Sequence, residues 1–97
     1  MPTHNEEPSF LRDYARLTPA QRVAFAVAIN HMVDDLKAGR GFRKGLGVKG
    51  VQGHPGIYEM RWADDGRATF QYGTSPQEGD THIIWRRIGT HNILQNP

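Results

Sequence analysis

The sequence predicts an α+β domain in which two N-terminal helices pack on one face of a small antiparallel β-sheet. Apolar residues recur at helical spacing up to residue 36 and alternate with polar ones from residue 56 onward. Three strand-like segments then follow one another with short connections, which is typical of an antiparallel meander. The length of 97 residues suffices for a single two-layer core. We therefore predict one domain over residues 1–97, with residues 1–8 as a flexible tail.

Composition excludes several classes of protein. No apolar stretch approaches the ~18 residues of a membrane span, and the first ten residues lack the apolar core of a secretory signal. Cysteine is absent, which excludes disulfides, thiol catalysis and Cys-ligated metal sites. The five histidines show no HxxxH or Cys/His spacing, so we expect no metal and no other cofactor. We predict a cytoplasmic protein with no membrane partner.

The net charge of +2 is unevenly distributed along the chain. Residues 1–38 carry four basic and five acidic side chains, whereas residues 39–97 carry eight basic and five acidic ones. The segment 37–49 contains five basic residues and no acidic one. Such a segment is typical of a surface for nucleic acid or an acidic partner, although a solvated basic loop is the alternative.

Two helices are predicted in the first forty residues. Ser9 can cap a short helix that ends at Arg16. The second helix begins at the sequence TPAQ, where Thr18 is the N-cap, proline follows it and a glutamine completes a capping box. Gly39 ends this helix, and we expect its buried stripe to contain Val23, Ala26, Ile29, Val33 and Leu36. Two such helices also permit a helix-turn-helix, but we favour an αα-hairpin packed on a sheet.

The strands are predicted in the second half of the chain. Residues 39–56 hold seven glycines and indicate a loop with at most a short strand around LGVKGV. The segments 56–62 and 67–73 alternate and are joined by the hairpin turn ADDG. After the polar loop TSPQEGD, residues 81–91 form the last predicted strand.

Alternation along these strands sorts the side chains into two faces. The helices can cover only the apolar face, so the polar face is expected to be open and to carry Glu59, Arg61, Arg67, Thr69 and Gln71. In the last strand we place Ile84 and Ile88 in the core, and Trp85, Arg87, Gly89 and His91 on the open face. Arg86 then falls on the core side, where we expect it to reach an edge or pair with Asp34 or Asp35.

The open face would combine groups that suit phosphodiester chemistry. Arginines at 61, 67 and 87 can hold a phosphate, and Trp85 can stack an unpaired base. Glu59 and His91 are candidate proton carriers. In RNA the 2′-OH can act as the nucleophile, so neither a metal nor an enzyme nucleophile is required. The alternative is an ordinary charged sheet face with weak cross-strand ion pairs.

The order helix–helix–meander, together with three motifs, resembles the RelE/ParE superfamily of toxins from type II toxin–antitoxin systems. The motifs are VKGVQGHPGIYEMRW, DGRATFQYG and WRRIGTH, and the resemblance covers roughly residues 10–92. Many members of this superfamily are ribonucleases that cut mRNA, often in the ribosomal A site, and a cognate antitoxin neutralises them. Some ParE-like members poison DNA gyrase instead. The family usually opens with a strand, whereas MPTHNEEPS shows no strand alternation.

The resemblance also implies roles for individual residues. The arginine that begins the family's middle strand corresponds to Arg67, and its catalytic arginine or histidine corresponds to His91. Glu59 and Arg61 occupy positions where RelE-type members have lysines, which suggests a carboxylate base at Glu59. Lys49 lies in a loop where some members place a basic residue that contacts RNA.

We therefore hypothesise a metal-independent endoribonuclease toxin that cleaves mRNA through attack of the 2′-OH. Its catalytic residues would be Glu59, Arg67 and His91, with Glu59 or His91 as the base and His91 as the acid. Its RNA-binding residues would be Lys49, Arg61, Trp85 and Arg87. The expected partners are mRNA and a cognate antitoxin, and dependence on the ribosome is left open. The alternative is a non-catalytic ParE-like toxin or binding module that acts on a protein such as gyrase.

Overall fold

The computed structural model describes residues 2–97, which form two helices, five strands and two 3-10 turns. The helices are α1 (Pro8–Ala15) and α2 (Pro19–Ala38). The strands are β1 (Thr3–Glu6), β2 (Lys49–Gly50), β3 (Tyr58–Arg61), β4 (Gly66–Gly73) and β5 (His82–Thr90). The 3-10 turns span Lys44–Leu46 and His91–Gln95. The α+β class and the meander predicted from the sequence are confirmed.

The five strands form one mixed sheet in the order β1-β5-β4-β3-β2. Strands β2 to β5 are antiparallel neighbours, whereas β1 runs parallel to β5. The flexible tail predicted for residues 1–8 is therefore wrong, because Thr3–Glu6 form the edge strand. The Thr3 hydroxyl lies 2.6 Å from Nδ1 of His82. A four-residue edge strand whose side chains are mostly exposed produces no apolar alternation, so its sequence carries no strand signal.

The helix boundaries follow from local chemistry. The capping box of α2 is confirmed, with the Gln21 amide donating to the Thr18 hydroxyl over 3.1 Å. Gly39, at φ 70°, closes its C-terminus. The Ser9 cap is wrong, because α1 begins at Pro8 and its N-cap is Glu7. Instead the Ser9 hydroxyl donates to the carbonyl of Arg86 over 2.7 Å and attaches α1 to β5.

The buried face of α2 differs from the predicted stripe. Phe25, Ala28, Met32 and Asp35 are buried, whereas Val23 is 64% exposed. Alanines and valines lie all around this helix, so apolar spacing alone does not select one face. The large side chains determine which face of α2 is buried, because Phe25 and Met32 bury more apolar area than the valines do.

The core lies between the helices and the apolar face of the sheet. Met60, Ala68 and Phe70 are fully buried. The Trp85 ring lies among three phenylalanines, at 5.9 Å from Phe10 and 5.4 Å from both Phe25 and Phe70, measured between ring centroids. Within residues 2–97, no helix is both long and apolar enough to cross a membrane.

A bulge in β5 changes which side chains face the core. Thr69 is opposite Arg87 and Phe70 is opposite Trp85, so Arg86 is an extra residue in β5. Trp85 and Ile88 therefore both face the helices, and the predicted exposure of Trp85 is wrong. Arg86 lies on the outer face, where it donates to Gln71 over 2.5 Å and to the carbonyl of Pro97 over 3.3 Å. The predicted pairing of Arg86 with Asp34 or Asp35 is also wrong.

Beyond the bulge, Arg87 and Asp13 cover the edge of β5. Strand β1 pairs only with His82–Trp85, so the edge that follows needs another partner. The Asp13 carboxylate accepts from Arg87 Nε over 2.6 Å and from the amide of Ile88 over 3.2 Å. Arg87 therefore holds α1 on the sheet.

The turn His91–Gln95 folds back over the outer face of the sheet. Ile93 is buried there, and a Cβ atom at Gly89 would lie 3.0 Å from its Cγ2 atom. Thr69, predicted on the open face, is fully buried. The outer face is thus covered near β5, and it remains open beside β3 and the loop before it.

Candidate functional site

The open part of the outer face forms a polar cleft of about 400 Å³. One wall consists of loop residues 42–44 and 47–49, and the other of Glu59, Arg61 and Arg67. We name this feature the cationic cleft, because its lining side chains include five basic residues and a single carboxylate. An excess of positive charge in a concave site raises the local concentration of anions.

Strand register places the charged side chains of the cationic cleft in two cross-strand pairs. Arg61 is directly opposite Arg67, and Lys49 is directly opposite Glu59. Like charges that face one another across an antiparallel pair are destabilising. Glu59 offsets part of this repulsion in the free protein, and an anion bound beside the two arginines would reduce it further.

Glu59 is the carboxylate of the cationic cleft. It is 7% exposed, and its Oε1 lies 3.7 Å from Nε of Arg67. A carboxylate at the edge of a cleft, held beside two cations, can accept a proton or a hydrogen bond from a bound hydroxyl.

Arg67 is fixed by the turn that joins β3 and β4. Its Nη1 donates to the carbonyls of Gly66, Asp64 and Ala63, over 2.9, 3.2 and 3.4 Å. Only 15% of the side chain is exposed. Arg67 therefore contributes a preorganised positive charge, whereas the neighbouring Arg61 is exposed and able to follow a ligand.

The loop wall of the cationic cleft is anchored by Asp35 of α2. Its carboxylate accepts from Nε, Nη2 and the amide of Arg43 over 3.0, 2.9 and 2.9 Å. Nη2 of Arg40 lies 3.7 Å from the same carboxylate. Hydrogen bonds from the Arg43 side chain and backbone lower the pKa of Asp35 from 3.8 to about 2. Two arginines of the basic segment 37–49 are thus paired with Asp35, which leaves Lys44 and Lys49 to the cationic cleft.

The cationic cleft brings together four of the seven predicted site residues: Lys49, Glu59, Arg61 and Arg67. Among residues 2–97, His91 does not line it, because His91 begins the 3-10 turn after β5 and is exposed. Trp85 is in the core and Arg87 is paired with Asp13, so neither is available for stacking or for a phosphate. Arg43 and Lys44 also line the cleft; both belong to the predicted basic segment 37–49, but neither was predicted as a site residue.

Comparisons with known proteins identify the fold. No protein-family model matches the sequence, and no curated protein matches it either. Solved structures do match. A chain of the RelB–RelE antitoxin–toxin complex from Methanococcus jannaschii superimposes with a TM-score of 0.60 and 18% identity, covering 94% of each chain.

Two further structures agree. A chain of the DinJ–YafQ complex from E. coli has a TM-score of 0.64 and 12% identity, over 97% of this chain and 98% of that one. The YoeB/ParE toxin from Agrobacterium tumefaciens has a TM-score of 0.63 and 17% identity, over 92% of this chain and 98% of that one. The chain therefore has the fold of the RelE/ParE toxins, which confirms at the level of fold the resemblance found in its sequence.

Proposed function

We propose that this chain is the toxin of a toxin–antitoxin system and acts as a metal-independent endoribonuclease on mRNA. The observation that carries the proposal is the carboxylate of Glu59 in the cationic cleft, with the opposed guanidinium groups of Arg61 and Arg67 beside it. A single-stranded RNA offers both groups that this arrangement suits, a phosphate and an adjacent hydroxyl.

In the proposed reaction Glu59 accepts the proton of a 2′-OH, and the 2′-oxygen attacks the adjacent phosphorus. Arg61 and Arg67 stabilise the negative charge that develops on the phosphate oxygens. The bond from phosphorus to the 5′-oxygen breaks, and this oxygen takes a proton from an acid. The products are a 2′,3′-cyclic phosphate and a free 5′-hydroxyl.

Lys49 is a better candidate than His91 for the acid. It lines the cationic cleft and pairs with Glu59 across the strands, so its ammonium group can reach the same phosphate. His91 follows the end of β5 and does not line the cleft within residues 2–97. Replacement of His91 by glutamine would then leave most of the activity, whereas Lys49→Ala would lower it.

The proposed protein partner is an antitoxin. Two of the matching structures are complexes of a toxin with an antitoxin, RelB–RelE and DinJ–YafQ. Charge complementarity favours an acidic segment over the cationic cleft. Cleavage of the same mRNA with and without ribosomes would show whether the ribosome is a second partner.

The test is inducible expression in a bacterial host, followed by mapping of mRNA 5′ ends before and after induction. We expect new ends inside coding regions with the parent and far fewer with Glu59→Gln or Arg61→Ala. Loss of one general acid–base group typically costs about 10²- to 10⁴-fold. Arg12→Ala is the matched control, because it removes one exposed arginine on α1, away from the cleft.

The second candidate is a non-catalytic toxin that acts on a protein such as gyrase. The bonds of Arg67 to three turn carbonyls favour it, because they show that this arginine also stabilises the turn and would be retained without catalysis. Growth arrest with intact mRNA, unchanged by Glu59→Gln, would select this candidate and reject the nuclease.

A further inference from the structure

A second cleft adjoins the cationic cleft and differs from it in character. It has a volume of about 580 Å³ and lies between α2 and the 3-10 turn Lys44–Leu46. Its walls combine apolar side chains with polar and charged ones. The apolar group includes Val27, Ala28, Leu46 and Trp62, and the polar group consists of His31, Arg43, Arg61 and Asp64. We name it the α2 cleft.

The two clefts are continuous. Arg61 and Arg43 line both of them. Arg43 is held by Asp35, so the exposed Arg61 is the movable cation between the clefts. A ligand whose phosphate is bound at Arg61 can therefore place the group attached to that phosphate in the α2 cleft.

Trp62 gives the α2 cleft a rigid aromatic wall. A Cβ atom at Gly66 would lie 2.6 Å from the indole ring, so glycine is what allows the ring to pack against β4. The ring also contacts Phe25, with 6.5 Å between the ring centroids and 79° between the ring planes. A fixed aromatic surface binds a planar group at little cost in conformational entropy.

Val27 is an exposed apolar residue that lies outside the core. Its side chain is 49% exposed on the wall of the α2 cleft. A cleft with an aromatic ring and apolar side chains on part of its wall, next to a cationic cleft, matches the two parts of a nucleotide, because every base has an apolar face while its phosphate is charged.

We propose that the α2 cleft binds the base of a nucleotide adjoining the phosphate held in the cationic cleft. This inference rests on the proposed function and adds to it a binding site for one base, which requires this nucleotide of the RNA to be unpaired. A base that is paired and stacked in a duplex cannot enter the cleft. The α2 cleft would then help to position the RNA for cleavage.

The test measures binding of a short 2′-O-methyl RNA, which cannot be cleaved, by fluorescence anisotropy. The variant Val27→Glu is compared with Val23→Glu, because both add a carboxylate to the exposed side of α2 but only Val27 lines the cleft. A stacked base contributes about 1–3 kcal/mol, so we expect affinity to fall roughly tenfold in Val27→Glu and little in Val23→Glu.

A second pair of variants separates steric exclusion from charge. Val27→Arg fills the cleft but adds a cation, which by itself would strengthen binding to a polyanion. We expect Val27→Arg to weaken binding and Val23→Arg to leave it unchanged or stronger. The complementary measurement uses oligonucleotides that lack the base at one position. Removal of the base that enters the cleft should lower the affinity of the parent protein for the RNA, but it should not change the affinity of Val27→Arg.

The outcomes are distinguishable. If both Val27 variants bind the RNA as the parent does, the inference is overturned. Weaker binding by Arg61→Ala in the same experiment would still support the proposed function. If the parent itself binds no RNA, this inference is overturned, whereas the proposed function is decided separately by the mapping of mRNA 5′ ends. Circular dichroism melting confirms that the exposed substitutions leave the fold intact.

Discussion

Asp35 is a buried carboxylate that receives all of its hydrogen bonds from Arg43, eight residues further along the chain. It is only 1% exposed, yet its pKa is lowered, because bonds from the guanidinium and amide groups outweigh the effect of burial. This one side chain decides where the loop wall of the cationic cleft lies.

The lowered pKa predicts a specific dependence of stability on pH. The folded-state pKa of Asp35 is about 2, below the ordinary value of 3.8. Its ionisation therefore stabilises the fold fully above pH 3.8, and this contribution disappears as the pH falls from 3.8 to about 2. We expect Asp35→Asn to have a lower Tm than the parent at neutral pH and a similar Tm near pH 2. The measurement is a series of thermal melts of both proteins, and a constant difference across this range would contradict the prediction.

At the scale of elements, the bulge in β5 explains why alternation assigned some side chains to the correct face of the sheet and others to the wrong one. Alternation correctly placed Glu59, Arg61 and Arg67 on one face, because β3 and the first half of β4 are regular. The same rule failed for Trp85, because the extra residue at Arg86 reverses the alternation within β5. A bulge leaves no reliable mark in a single sequence, so neither the burial of Trp85 nor the pairing of Arg87 could be predicted.

The capping box and the basic segment were informative because each consists of residues that are close together in the sequence. Thr18 and Gln21 interact within one helical turn, and local interactions of this kind can be predicted from spacing alone. The pairing of Asp35 with Arg43 depends on how the loop after α2 folds back, which spacing does not reveal. The sequence thus predicted a site rich in basic side chains, but it identified only some of the residues that line the cationic cleft.

The attachment of α1 to β5 through Asp13 gives a prediction at the element scale. Asp13→Ala removes the acceptor for both Arg87 and the amide of Ile88 and leaves these buried donors without it. Such a loss costs about 2 kcal/mol. We expect a lower denaturation midpoint and faster amide exchange in α1. Glu78→Ala is the control, since it removes an exposed carboxylate from a loop and should change neither quantity.

At the scale of the whole molecule, the charges are divided between two tasks. Arg40, Arg43, Arg86 and Arg87 bind partners within the protein. Lys44, Lys49 and Arg61 line the cationic cleft and supply its field. Arg43 and Arg67 do both, because each lines the cationic cleft while it is bonded within the protein. The net charge of +2 is therefore a poor guide to the affinity of this surface for anions.

If the cationic cleft binds RNA, the affinity must depend on salt. For single-stranded nucleic acid, the logarithm of the binding constant falls linearly with the logarithm of the salt concentration. The slope is about −0.7 for each phosphate that the protein neutralises. We expect Lys44→Ala to reduce this slope by about 0.7, with Lys37→Ala, an exposed lysine on α2, as the control. Anisotropy titrations at several salt concentrations measure the slope, and equal slopes for parent and Lys44→Ala would count against RNA binding in this cleft.

The parallel pairing of β1 with β5 joins segments that are far apart in the chain. Thr3 and His82 are separated by 79 positions in sequence, and a contact of this range forms late and slowly. During synthesis β1 has no partner until β5 has left the ribosomal tunnel, since the three strands of the meander before β5 do not pair with it. A nascent chain therefore cannot complete its sheet until residues 82–90 have been synthesised and have left the tunnel.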